Sequence, residues 1–113
     1  MVSHCAARGA LPHLRGLLFW GFPLHPAGAP SVQRAAHLPK VAVPMLFLQG
    51  TRDALCEAAQ LQASIAPLPH ATIHMIADAD HAFAVRKKSG RDAHAVFAEL
   101  QALVSDFIAA QIA

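Results

Sequence analysis

The stretch Val43-Pro44-Met45-Leu46-Phe47-Leu48-Gln49-Gly50-Thr51-Arg52-Asp53 limits what this chain can fold into more than any other. Met45 to Gln49 reads as a strand buried in a sheet. Pro44 cannot donate to a sheet ladder and marks the strand's start. Gly50 lets the backbone turn sharply, and the turn presents an aspartate. A second unit of the same kind follows, Ala71 to Ala77 and then Asp78-Ala79-Asp80-His81.

The rest of the chain fits around these two units. Residues 1 to 8 are small and helix-compatible, with Gly9 as a stop. Leu14 to Trp20 is the first strand candidate, and Leu17-Leu18-Phe19-Trp20 demands cover on both faces. Pro23 to Ser31 is a proline-rich loop, read either as a pocket lining or as a rigid connection. Ser31 to Leu38 reads as a short helix with Ser31 as N-cap. Cys56 to Ala66 reads as a helix ended by Pro67 and Pro69. Thr72 to Ala77 is the third strand, and its His74 suits a sheet edge. Val96, Phe97, Leu100, Leu103, Val104, Phe107 and Ile108 recur at helical steps along the last helix. Ser89 with Asp92 offers that helix a capping box. Strands separated by helices imply an α/β fold, about three parallel strands with flanking helices.

Composition sharpens this picture. Hydrophobic residues make up 55% of the chain and charged residues 14%, where a soluble domain carries about 25% charged residues. That deficit fits a piece of a larger sheet, so residues 1–113 read as a partial domain. A net charge of +2 gives no case for nucleic acid. The basic group Arg86-Lys87-Lys88 with Arg91 reads as a solvated loop. Cys5 and Cys56 have no zinc spacing and read as reduced thiols, which makes the cytoplasm the expected location. The eight histidines show no H-E-x-x-H pattern, so neither a metal nor any other cofactor is expected. No uninterrupted apolar run reaches the roughly 18 residues of a membrane span, so no membrane partner is expected. Gly16 to Phe22 is too short, and too soon followed by Pro23, to read as a cleaved leader.

Sites in parallel sheets form at the carboxyl ends of the strands. Asp53 and His81 both lie just past such ends. On neighbouring strands, about 4.8 Å apart, the carboxylate can reach the imidazole. The aspartate then holds the ring tautomer while the histidine accepts and returns a proton. Structural readings stand beside this one. Asp53 can cap the following helix, and Asp78 and Asp80 are rival partners for His81 or turn formers.

Gly21-Phe22-Pro23-Leu24-His25-Pro26-Ala27-Gly28, His37-Leu38-Pro39-Lys40, Leu46-Phe47-Leu48-Gln49-Gly50-Thr51-Arg52-Asp53 and Asp80-His81-Ala82-Phe83 together resemble the C-terminal half of the α/β-hydrolase fold. Within it the chain is similar to small bacterial dienelactone-hydrolase-like proteins, a group resembling the third subunit of the NSL acetyltransferase complex and a testis-expressed hydrolase-like protein. The order strand-Asp, strand-His is the downstream part of the Ser…Asp…His order of such enzymes. The resemblance implies Asp53 as the triad acid and His81 as the triad base, acting on a small-molecule acyl substrate.

It also implies a gap. Ser3, Ser31, Ser64, Ser89 and Ser105 all lack the flanking glycines of a nucleophile elbow. The family's elbow and oxyanion loop precede the region that residues 1 to 8 resemble. Cys56 follows Asp53 closely, but nothing around it marks a strained turn. The expectation is a truncated serine hydrolase carrying acid and base without nucleophile, inactive alone. The alternative is a non-catalytic interaction module, which self-associates or pairs through the open edge of the first strand. A metal-dependent enzyme using the histidines is the third reading.

Overall fold

In the computed structural model, residues 7–9, 14–22, 24 and 35–112 are described. A parallel sheet of β1 (Leu17–Trp20), β2 (Met45–Gly50) and β3 (Ala71–Ile76) is ordered β1-β2-β3. Two helices complete the described fold, α1 (Ala58–Ile65) and α2 (Ala93–Ile112). Every residue of β2 is buried, as its unbroken apolar run requires of a central strand.

Strand alternation sorts the apolar side chains onto two faces. Met45 and Phe47 point to one side, where they meet Leu17, Leu61 and Ile65. Leu46 and Leu48 point to the other, where they meet Ile76, Phe83, Val96 and Leu100. The sheet is thus sandwiched, with α1 on one face and α2 on the opposite one. Aromatic contacts lock the first face: Phe19 stacks on Phe47 at 4.5 Å between centroids, and Phe22 meets Phe47 edge-on at 5.7 Å. Burial of Val96 and Leu100 contributes about 1.5–3 kcal/mol per side chain and ties α2 to the sheet.

Several boundaries differ from expectation. The region expected to be helical at Ser31–Leu38 lies partly outside the described residues; its described end is a 3-10 turn at Leu38–Lys40. Pro39 sits in its first positions, where a missing N–H costs nothing. The expected loop at Pro23 to Ser31 lies outside the described residues except Leu24. Of the expected helix at residues 1 to 8, Ala7 is helical and Gly9 follows at φ 71°. α1 starts at Ala58 rather than Cys56, because Glu57 is its N-cap and accepts from the Gln60 N–H at 3.1 Å. The Ser89–Asp92 capping box does not form. Gly90 takes a left-handed φ of 76° and redirects Ser89, whose hydroxyl serves Arg86 O and the Arg91 N–H. Asp92 alone caps α2, accepting from the Ala95 N–H at 2.8 Å.

α2 is also longer than its sequence pattern indicated. Within its 20 residues an 18-residue stretch reaches a mean hydropathy of 1.4, so by length and composition alone this helix is apolar enough to cross a membrane. The sequence shows no such uninterrupted run because Glu99 and Asp106 divide it. Leu103, Val104 and Phe107 of this helix pack against the sheet-side core, whereas Phe97, Ile108 and Ile112 are exposed.

Candidate active site

The carboxyl ends of the three strands converge on one imidazole. After β2, Thr51 and Arg52 donate their N–H groups to Ile76 O and Ala79 O, so the turn leaving β2 is sewn to the turn leaving β3. This apposition requires Gly50. A Cβ there would collide with the Ala79 carbonyl and stand 2.7 Å from Asp80 O. The turn then delivers Asp53, whose side chain has no solvent exposure. Its Oδ1 accepts from the Leu55 N–H at 2.8 Å, and its Oδ2 accepts from His81 Nδ1 at 2.7 Å.

His81 rides on a loop held by its own hydrogen bonds. Asp78 enters it at φ 63°, with its N–H donated to Thr51 Oγ1 at 2.8 Å. The Asp78 carboxylate accepts from the Arg86 backbone and guanidinium, and pairs with Arg52 at 3.3 Å. Those hydrogen bonds, chiefly the side-chain ones from Arg86, hold the Asp78 carboxyl down at about 2. Asp80 Oδ1 accepts from the Ala82 and Ala84 N–H groups, folding the chain back after His81. Asp78 and Asp80 therefore shape the loop, while the partner of His81 is Asp53. Asp53 is also not the helix cap, a role that Glu57 takes.

The basic group read as a solvated loop is partly structural. Arg86 clamps Asp78, and Arg91 pairs with Glu99, which also meets His74 Nε2 at 3.2 Å. Sequence reasoning missed these pairs because each joins two different segments, across a loop or from the loop or β3 to α2, at no helical or strand spacing. The rival nucleophile fails on electrostatics. Cys56 is buried, and its burial, then the nearby Asp53 charge, push its thiol up to about 12. Such a thiol holds almost no thiolate at neutral pH. Among the described residues, no three His, Cys, Asp or Glu side chains gather as metal ligands.

Two neighbours of the pair went unread in the sequence. Gly21, at φ 78° after β1, lies so close to the imidazole that a Cβ would be 3.3 Å from two of its ring atoms. Gln49 is fully buried; its Nε2 donates to Asp53 Oδ2 at 2.7 Å, and its Oε1 accepts from the Phe22 N–H at 3.2 Å. The signal for Gln49 was present, a lone amide closing an otherwise apolar strand beside the turn glycine.

Of the serines, Ser64 bonds Gln60 O within α1, Ser89 serves the turn before α2, and Ser105 is exposed on α2. Ser3 and Ser31 lie outside the described residues.

A parallel sheet between helices, with an aspartate and a histidine joined beyond neighbouring strand ends, defines an α/β protein of hydrolase type. The family model of the alpha/beta hydrolase domain matches residues 1–109, and the chain belongs to that family. No solved structure matches it.

Proposed function

We propose that this chain is the C-terminal part of a serine hydrolase that cleaves an ester or related acyl bond. Asp53 is its triad acid, His81 is its triad base, and the nucleophile comes from outside the 113 residues. The reading rests above all on the 2.7 Å hydrogen bond from His81 Nδ1 to a carboxylate shielded from solvent. With Nδ1 as the donor, Nε2 keeps its lone pair and is free to take the proton of a serine hydroxyl. The serine oxygen then attacks the acyl carbon, and the imidazolium, stabilised by Asp53, returns the proton to the leaving alcohol. A water activated at the same nitrogen releases the acyl group. The motif resemblance supports the dienelactone-hydrolase-like group and a small-molecule acyl substrate.

With no elbow serine in the sequence this machinery has no nucleophile to activate, so the isolated chain is expected to be inactive. The test has two arms. The recombinant chain should show no turnover of p-nitrophenyl esters, and native material captured through an antibody to α2 should turn them over. In source cells that antibody should detect a polypeptide of about twice the 12.0 kDa of this chain. A band at the short mass with no esterase in the captured material would overturn the reading.

A second reading, a non-catalytic module that pairs through its sheet edge, draws on β1. Leu17 and Gly21 donate their N–H groups to Pro44 O and Leu48 O, so the alternating Leu18 and Trp20 direct theirs away from β2, to a side that no strand among the described residues covers. Exposed Trp20 lies on this strand, and exposed Phe97 lies on α2. An isolated chain that sediments as a monomer at high concentration would exclude self-association through this edge.

A further inference from the structure

We infer that Gln49 is a positioning residue for the Asp53–His81 pair, holding both walls of the seat in which the imidazole sits. The inference rests on the reading of that pair as an acid and base.

Gln49 is an anomaly where it stands. It closes the run Met45-Leu46-Phe47-Leu48 and projects on the side of Met45 and Phe47, into an apolar core, with no solvent exposure. A buried amide in such a place is costly unless its hydrogen bonds are made. They are made, and with partners that allow only one orientation. The Phe22 N–H can only donate, so it requires the amide oxygen. The ionised Asp53 can only accept, so it requires the amide nitrogen. Nε2 also lies 3.5 Å from Gly50 O.

The two bonds act on the two sides of His81. On one side, Asp53 Oδ2 receives both Gln49 Nε2 and His81 Nδ1, each at 2.7 Å. With Oδ1 engaged by the Leu55 N–H, both oxygens of the carboxylate are held. On the other side, Phe22 is held by Gln49 Oε1, and the preceding Gly21 backbone abuts the imidazole ring. One side chain therefore fixes the exit of β1 relative to the exit of β2, and the ring stands between them. The expected consequence is that the neutral form of the imidazole carries its proton on Nδ1, leaving Nε2 as the acceptor.

The test uses the chain itself, with no turnover required. Long-range nitrogen–proton NMR reports the tautomer of neutral His81, and hydrogen exchange reports the Phe22 amide. The wild type should hold the Nδ1–H tautomer. Gln49→Met should mix the two tautomers and speed Phe22 exchange by about tenfold or more. Gln49→Glu keeps an oxygen for Phe22 but sets a carboxylate against Asp53. It should leave Phe22 protected and still disturb the tautomer, which a purely structural role would not do. A fixed Nδ1–H tautomer in both variants would overturn the inference. Should the variants fail to fold, the wild-type Gln49 side-chain amide protons serve instead. They should exchange slowly, and exchange at the rate of a free amide would overturn the inference equally. Failure of the hydrolase reading would appear as absent esterase in native material and would leave these spectra unchanged.

Discussion

Replacing Gly50 by alanine tests whether the site is built by the close approach of two turns. The added methyl group would meet backbone, the Ala79 carbonyl and Asp80 O, and not the yielding end of a side chain. Relief requires the β3 turn to move away from the β2 turn. Overpacking of this kind costs about 1–3 kcal/mol. The hydrogen bond from the Arg52 N–H to Ala79 O, 2.8 Å long, lies in the path of the movement, and its loss adds about 1 kcal/mol. The expected destabilisation of Gly50→Ala is thus about 2–4 kcal/mol. Urea denaturation followed by circular dichroism would read it as a lowered midpoint at an unchanged slope. His81 sits two residues beyond Ala79, so its ring resonances should shift in the same variant. A loss below about 0.5 kcal/mol, with His81 resonances unmoved, would refute the claim that the two turns are in contact.

Two further outcomes follow from the electrostatics around the pair. With the Cys56 thiol raised from 9.0 to about 12, its thiolate at pH 8 should be about a thousandfold scarcer than in the unfolded chain, and alkylation of folded protein correspondingly slow; rapid labelling by iodoacetamide would contradict this. The Asp78 carboxyl is lowered from 3.8 to about 2, so the stability it contributes is present above pH 3.8 and is lost as pH falls through about 2. Asp78→Asn should therefore be less stable than wild type at pH 7 and converge with it near pH 2 in thermal melts; a gap that persists at pH 2 would refute this.

What could be read in the sequence, and what could not, divides along physical lines. The unbroken run at Met45–Gly50 announces a buried central strand because only a strand covered on both faces tolerates it. Gly50 was readable as a turn, but that it also admits the Ala79 carbonyl depends on a neighbouring strand. The partnership of Asp53 and His81 was open in the residues alone, where Asp78 and Asp80 stood as rivals by proximity. Their own bonds, to Arg86 and to the Ala82 and Ala84 N–H groups, consume both. Helix starts were legible only to within two or three residues: α1 begins at Ala58 behind the Glu57 cap where Cys56 was expected, and α2 begins behind Asp92 where Ser89 offered the cap. Gln49 carried a sequence signal, a polar side chain in a core strand, yet its partners Phe22 and Asp53 are set by tertiary structure.

The central claim is that His81, oriented by Asp53, is the base of a serine hydrolase. The most direct test is fluorophosphonate labelling and ester hydrolysis by native material captured through α2, from cells carrying either wild-type protein or His81→Ala. The account predicts a serine-linked adduct in the wild-type material and a fall in hydrolysis of about 10⁴-fold or more in the variant. Captured material that hydrolyses esters equally well with and without His81 would contradict it.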